Sequence, residues 1–534
     1  MISTTAWASS QKLWLSNSEQ HPIVSEAEIR KALSNLSQPL FVVLGKDGPV
    51  IYQDGKINTE GLGFEILARI PAQDISRLGD PEFLKAHGVK AAYMAGAMAN
   101  GIASEELVIA LGKSGYLASF GAAGLVPSRV EQAIHRIQKE LPNGPYAFNL
   151  IHSPSEEALE RGAVDLYLKY GVKTVEASAF LDLTEHIVRY RVAGLKRRSD
   201  NTIETGNRVI AKISRREVAS KFMRPAPLKF LEKLLLANQI TKEQMEMAKS
   251  VPMCDDIIVE ADSGGHTDNR PLPCLLPSIL GLRDEIQAEF HYSPPLRVGA
   301  GGGISTPLSA LGAYMMGASF IVTGSVNQAC VESGSCDHVR KVLAQAEMAD
   351  VAMAPAADMF EMGVKLQVLK RGTLFPMRAQ KLYEIYRTYP SLESIPQDEK
   401  SRLETQIFRR SLEQIWTDTR AYFLSRDPEQ VHMAEADPKQ KMALVFRWYL
   451  GLSSRWANSG EKGREMDYQI WAGPAMGAFN DWVKGTYLSE PQSRNASVVA
   501  EAILHGAAYF SRVRQAEAQG IRFDSRLLDY RPSR

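Results

Sequence analysis

Short apolar runs alternate with longer amphipathic stretches through the middle of the chain. Runs of a length suited to buried strands recur at residues 90–96, 115–121, 146–151, 173–177, 209–214, 257–261, 296–299 and 319–324. Helix-start signals fall between them. Ser128-x-x-Glu131 and Ser153-Pro154-x-Glu156 have capping-box spacing, and Ser305-Thr306-Pro307 places Pro at a first helical position. Eight strands alternating with helices predict an α/β fold, a (β/α)8 TIM barrel. In an open doubly wound sheet the glycine fingerprint would follow the first strand. Here the glycines follow the seventh.

The barrel is assigned to residues 86–375. Before it, residues 1–85 read as a small N-terminal α+β accessory domain. That stretch carries a hairpin signal at residues 41–45 and 49–52 around the turn Lys46-Asp47-Gly48. Between Ser214 and Asp256 there is room for two helices beyond the expected one, at residues 227–238 and 241–250. This helical insertion after strand five, about residues 222–253, leaves from the C-terminal face of a barrel. It predicts either a lid over the site or a peripheral helical hairpin. After Ser325 the pattern reads helical almost to the end, with residues 360–387 interrupted at Thr373-Leu374-Phe375-Pro376, then 402–426 and 440–452. Residues 376–534 are expected as a C-terminal helical domain.

Composition narrows the function classes. Charged residues make up 23% of the 534 and the formal net charge is +1, which lacks the basic excess of a nucleic-acid binder. Cys254, Cys274, Cys330 and Cys336 form no CxxC pair, which argues against a disulfide framework or a zinc site and for a reducing cytosol. The stretch from Met1 to Leu15 has neither a basic start nor a continuous apolar core, so no secretory signal is read there. No run is long enough to span a bilayer. The expectation is a cytoplasmic protein with no membrane partner.

The candidate chemistry sits where strands end, because a barrel gathers its functional groups there. Gly299-Ala300-Gly301-Gly302-Gly303 and Thr323-Gly324-Ser325 close the last two strands, the place where bare backbone N–H groups hold a phosphate. Strand one ends in Gly96-Ala97-Met98, strand three carries Asn149, strand four Glu176 and strand five Lys212. After strand six come Ser263, Gly264, Gly265 and His266. A flavin wants such a set: small residues as backing, polar groups along one edge and a cation near its N1–C2=O side. Lys212 reads as that cation or as an outward residue snorkelling past a helix. His266 reads as an acid or base working near neutral pH, or as a surface or satisfied core histidine.

Longer strings carry a family resemblance. Residues 260–271, Glu-Ala-Asp-Ser-Gly-Gly-His-Thr-Asp-Asn-Arg-Pro, resemble the PfaD-like enoyl reductases that act in trans in polyunsaturated fatty acid and trans-acyltransferase polyketide synthases. So do residues 323–330, 353–363, 373–379 and 473–480. The wider group is the nitronate monooxygenase-like superfamily of FMN barrels. The resemblance implies FMN as cofactor, held by the strand-end residues named above. It implies NADPH or NADH as hydride source and reduction of the 2,3 double bond of an enoyl thioester carried by an acyl carrier protein. His266 is then the implied catalytic acid, with backbone N–H groups near Gly264 and Gly265 available to the enolate, and no metal is implied. Acyl carrier protein domains are the implied partners, with a homodimer as a further option. Basic clusters at Arg189, Arg191 and Lys196-Arg197-Arg198, and at Arg409, Arg410 and Arg420, read as docking patches or as solvated faces. Two rival readings share the sequence: an FMN-dependent nitronate monooxygenase-like oxidase, and a non-catalytic assembly component of a synthase.

Overall fold

Eight parallel strands close into a barrel in simple sequence order. They are β1 (Tyr93–Ala95), β2 (Leu117–Phe120), β3 (Ala147–Ile151), β4 (Thr174–Ser178), β5 (Arg208–Ile213), β6 (Asp256–Glu260), β7 (Arg297–Gly301) and β8 (Ile321–Thr323). β8 returns to β1, with Ile321 opposite Tyr93. The computed structural model describes residues 2–4, 12–14, 21–58, 63–152 and 157–533, without the side chains of Ser425 and Arg426. The expected helix start at residues 153–156 lies outside the described residues.

Side chains alternate along each strand, and the two sets enter different cores. Met94, Leu117, Ala147, Ile210, Ile258 and Val322 fill the barrel interior together with Phe83, which stacks on Phe320 at a centroid distance of 4.2 Å and closes the N-terminal end. The other parity, such as Phe148, Val175, Ala211 and Val259, packs outward beneath the helices. The N-terminal end also holds a buried ion cluster, with Asp256 taking a 2.6 Å bond from Arg297 and a 2.9 Å contact from His87.

Two helix starts separate cleanly on capping chemistry. Thr306 caps the helix Pro307–Met315 with Pro307 in its first turn, as the Thr-Pro pair predicts. Ser128, by contrast, is not a cap. Pro127 opens that helix one residue earlier, with Val126 as its N-cap and no side-chain bond.

N-terminal to the barrel lies a five-stranded antiparallel sheet with the helix Glu26–Ser34. Its hairpin joins Leu40–Gly45 to Gly48–Tyr52. The insertion after β5 forms the helices Leu228–Leu236 and Lys242–Ala248. They pack on the helix Glu185–Ala193 and the hairpin Leu195–Arg197/Ile203–Thr205. None of residues 224–253 reaches the barrel mouth cavity. The insertion is the peripheral hairpin, and something else roofs the site.

That roof is one place where the helical reading of the C-terminal part fails. Val351–Pro355 and Lys365–Leu369 form an antiparallel ribbon, and Gly265–His266 joins it as a third strand. The alternation Lys365-Leu366-Gln367-Val368 has period two, so Leu366 and Val368 share one buried face. The expected helix at residues 360–387 is therefore confined to Phe375–Thr388. The expected helix at residues 402–426 also breaks, at Arg409 with φ of 58°, and resumes as Leu412–Arg426. The helix Pro438–Ser459 is a single element. No helix among the described residues is long and apolar enough to cross a membrane.

Candidate functional site

Strand parity decides which polar groups meet. Asn149, Glu176, Lys212 and Glu260 lie on the inward face of β3 to β6, because Glu176 stands opposite Asn149 and Ile210 while Lys212 stands opposite Ile258. They rise toward a cavity of about 920 Å³ over the C-terminal strand ends. Gly96, Ala97 and Met98 line one side of it, and Asn149 and Lys212 its floor. Ser263, Gly264, Gly265 and His266 line another side, with Gly301, Gly302, Gly303, Thr323, Gly324 and Ser325 beside them. Glu176 does not line the cavity. It is fully buried behind Lys212.

Lys212 points inward and not past a helix. Its Nζ lies 3.3 Å from Glu260 Oε1 and 3.6 Å from Glu176 Oε1. Burial opposes its charge, but the two carboxylates outweigh that and hold the ammonium's pKa above its usual value. Glu176 Oε2 also accepts the backbone N–H of Ala97 at 2.8 Å, which ties β4 to the end of β1. The Asn149 amide donates to Ser178 Oγ at 3.0 Å and to the Glu176 carbonyl at 3.2 Å.

The glycines divide by what replaces the missing side chain. A Cβ on Gly302 would come within 2.7 Å of the Ala261 backbone, so its absence, with φ of +83°, serves the chain's own packing. Gly264 behaves the same way, since a Cβ there would come within 2.8 Å of the Ala472 backbone. At Gly265, Gly303 and Gly324 a Cβ would meet nothing within 4 Å. The backbone N–H groups of Gly303 and Gly324 have no acceptor among the described residues. Thr323 is engaged elsewhere, its hydroxyl held by Tyr93 at 2.6 Å and by Asn327 at 2.9 Å. Ser325 Oγ accepts the N–H of Gly473 at 3.0 Å, which pins the C-terminal part onto the end of β8.

His266 is held by a residue the sequence reading passed over. Its Nε2 lies 3.1 Å from Asp358 Oδ1, so Nε2–H donates and Nδ1 is left for the cavity. About a third of the side chain is exposed, toward that cavity. Enclosure lowers the imidazole's proton affinity, yet the Asp358 carboxylate more than reverses this and the pKa ends above 6.5. The Gly265–His266 backbone is paired with Leu366–Gln367 in the ribbon. Gln367 Nε2 donates at 2.8 Å to both Asp262 Oδ1 and the Ser263 carbonyl, fixing the bend before the histidine. His152, one residue beyond β3, is a second cavity histidine, 3.0 Å from Glu160. Its position at a strand end was the signal that could have found it.

The basic clusters fall in different places. Arg191 is buried on Asp255 at 2.6 Å and beside Asn207, at the N-terminal strand ends and so away from the cavity. Arg189 pairs with Asp165. In the second cluster, Arg410 pairs with Asp418, Arg420 with Glu435 and Arg409 with Asp467.

Known proteins share this architecture. The enoyl reductase domain of MlnA, from the macrolactin biosynthesis cluster of Bacillus amyloliquefaciens, superposes with a TM-score of 0.79. It is 38% identical, and the match covers 83% of this chain and 100% of that domain. The chain belongs to the PfaD-like enoyl reductase family. Curated relatives agree. The chain is 55% identical over 443 residues to one of the polyunsaturated fatty acid synthase subunits of a Thraustochytrium species, a match covering 82% of the chain. It is 46% identical over 428 residues, 80% of its length, to the polyketide biosynthesis protein PksE of Bacillus subtilis. The chain spans 30% of the first of these relatives and 55% of the second. Within this family framework, residues 389–468 match the inserted helical domain of acyl-carrier-protein S-malonyltransferase. Part of the cavity roof, including Asp418, Leu444, Trp448 and Gly451, comes from that segment.

Proposed function

We propose that this chain reduces the 2,3 double bond of an enoyl thioester on an acyl carrier protein, with NADPH or NADH as the electron source and FMN as the carrier. The observation that carries the reading is one cavity shared by an open glycine cradle and a carboxylate-held histidine. The cradle fits a phosphate. Gly303 and Gly324 face empty space and the nearby N–H groups lack acceptors among the described residues. Gly96, Ala97 and Met98 are small or flexible enough to back a flat ring, and Lys212 offers positive charge to its polar edge. FMN bound there would accept hydride from the nicotinamide and pass it to Cβ of the enoyl group. The chain's own task is the second half of the addition. As Cβ gains hydride, negative charge moves onto the thioester enolate, and Cα needs a proton. Imidazolium His266 supplies it from Nδ1, while Asp358 keeps the ring oriented and charged. Residues from the segments 357–364 and 418–455 roof the site of this transfer.

The reading is tested with the purified protein. A flavin spectrum is expected, bleached by NADPH or NADH and restored anaerobically by a crotonyl thioester. Oxygen uptake driven by a nitronate, with no thioester turnover, would replace the reading by the oxidase. A colourless protein that still joins its synthase would replace it by the assembly component.

The cradle has its own test. Gly324→Asp introduces negative charge where a Cβ would meet nothing within 4 Å. This variant is expected to purify without flavin and to melt close to flavin-stripped wild-type protein. Gly302→Asp is the poorer choice, since it would collide with the Ala261 backbone. A Gly324→Asp protein that retains flavin in full would place the phosphate elsewhere.

A further inference from the structure

Most charges on the cavity wall are paired. Lys212 meets Glu260, Arg215 meets Asp268 at 3.0 Å, Arg447 meets Glu361 at 3.3 Å, and Asp358 meets His266. Asp418 is taken by Arg410 at 2.6 Å. Two exposed cations, Lys365 and Arg455, line the cavity without an acidic partner among the described residues. Lys365 opens a ribbon strand, whereas Arg455 sits in the last two turns of the helix Pro438–Ser459. Those turns are fixed onto the loop after β1: Asn100 Nδ2 donates to Ser454 Oγ at 3.0 Å, and Asn458 donates to the Asn100 carbonyl at 3.3 Å. Arg455 is thus an uncompensated cation carried on an anchored turn beside the mouth.

The same helix shows a second feature on the same face. Leu444, Trp448, Gly451 and Arg455 recur at spacings of three to four and all line the cavity. Glycine is a poor helix former, and no packing demands it at position 451, because a Cβ there would meet nothing within 4 Å. Its effect is to leave a lane open between Trp448 and Arg455, one helical turn before the free guanidinium. The single ammonium of Lys365 lacks the paired donors of a guanidinium.

We propose that Arg455 binds a phosphate ester at the entrance of this cavity, and that the lane over Gly451 passes the chain attached to it. This rests on the enoyl reductase reading, which needs two phosphate-bearing ligands: the phosphopantetheine arm of the carrier protein and the nicotinamide nucleotide. A guanidinium suits either, through paired N–H donors to phosphate oxygens.

The test titrates wild-type, Arg455→Gln and Lys365→Gln holoenzyme with 4′-phosphopantetheine, pantetheine and the non-reducing NADP+ by calorimetry. It then compares turnover of crotonyl-phosphopantetheine with crotonyl-pantetheine. If the arm is the ligand, Arg455→Gln weakens 4′-phosphopantetheine about 10- to 100-fold, as expected for a lost charge-assisted contact. The preference for the phosphorylated thioester, as a ratio of kcat/KM values, falls by a similar factor. If the nucleotide is the ligand, the loss appears in NADP+ affinity and in the NADPH concentration needed for flavin reduction. Arg455→Lys restores part of either effect. Unchanged affinity for both phosphate compounds in Arg455→Gln overturns the proposal, and a loss confined to Lys365→Gln would move the site to the ribbon. Gly451→Leu is expected to raise KM for both thioesters alike, and equal KM values in this variant and wild type would remove the lane. A wild-type protein inert toward both thioesters would count against the enoyl reductase reading alone, since the titrations report on Arg455 independently of turnover.

Discussion

On the proposed reading, His266→Ala protein is expected to keep FMN and to be bleached by NADPH, but to be reoxidised by an enoyl thioester roughly 100- to 10,000-fold more slowly. The expectation follows from where the side chain stands. His266 lies on the strand that joins the roof and is bonded to Asp358, not to the cradle glycines, so its removal leaves the cradle intact. Stopped-flow absorbance follows the two half-reactions separately. Equal slowing of both would make His266 a wall of the shared pocket and not the acid. The pH profile adds a sign. Because Asp358 holds the imidazole above 6.5, the acid is present below that value and is lost as pH rises through the elevated one. Thioester-driven reoxidation therefore falls on the alkaline side. Asp358→Asn removes the carboxylate, so the fall moves to lower pH. Flavin reduction by NADPH should not share that shift.

Lys212→Met should act on stability and on electrons together. The ammonium sits between Glu260 and the fully buried Glu176. Removing one partner of a buried ion pair leaves an uncompensated charge, at a cost of about 3–5 kcal/mol. The melting temperature should drop accordingly, and the double variant Lys212→Met/Glu260→Gln should recover part of it. With the cation gone, the negative charge of reduced flavin also loses its counter-charge. The reduction potential of bound FMN should fall and reduction by NADPH should slow. A loss of stability with an unchanged potential would confine Lys212 to holding the two glutamates.

Much of the barrel was legible because parallel strands buried on both faces read as unbroken apolar runs. Asn149, Glu176 and Lys212 could be located for the same reason, each being a polar residue within such a run. The direction of Lys212 was not legible from its own strand, since both neighbours are apolar; it needed the register with β4 and β6. Asp358 stayed hidden although its string was noticed, because it lies 92 residues from His266. A local pattern carries no information about which distant carboxylate a roof will bring back. The ribbon strand at Lys365–Leu369 was masked by Met362, Leu366 and Leu369, whose spacing imitates a helix face. Gly264 and Gly265 look alike in sequence, yet only the structure shows that one packs against backbone and the other faces open space.

The three-stranded ribbon has a consequence for how the protein is made. β8, the last barrel strand, ends at Thr323, whereas the strand that covers Gly265–His266 begins at Lys365. During synthesis from the N-terminus, all eight barrel strands emerge before the partner of His266 does. In that interval the segment is an unpaired edge, open to wrong pairing in the way any bare strand is. A chain stopped shortly after β8 would keep its cradle glycines and its lysine but lack Asp358 and the ribbon. On the proposed reading, competence for proton transfer is thus acquired only once the ribbon forms, and not with the barrel.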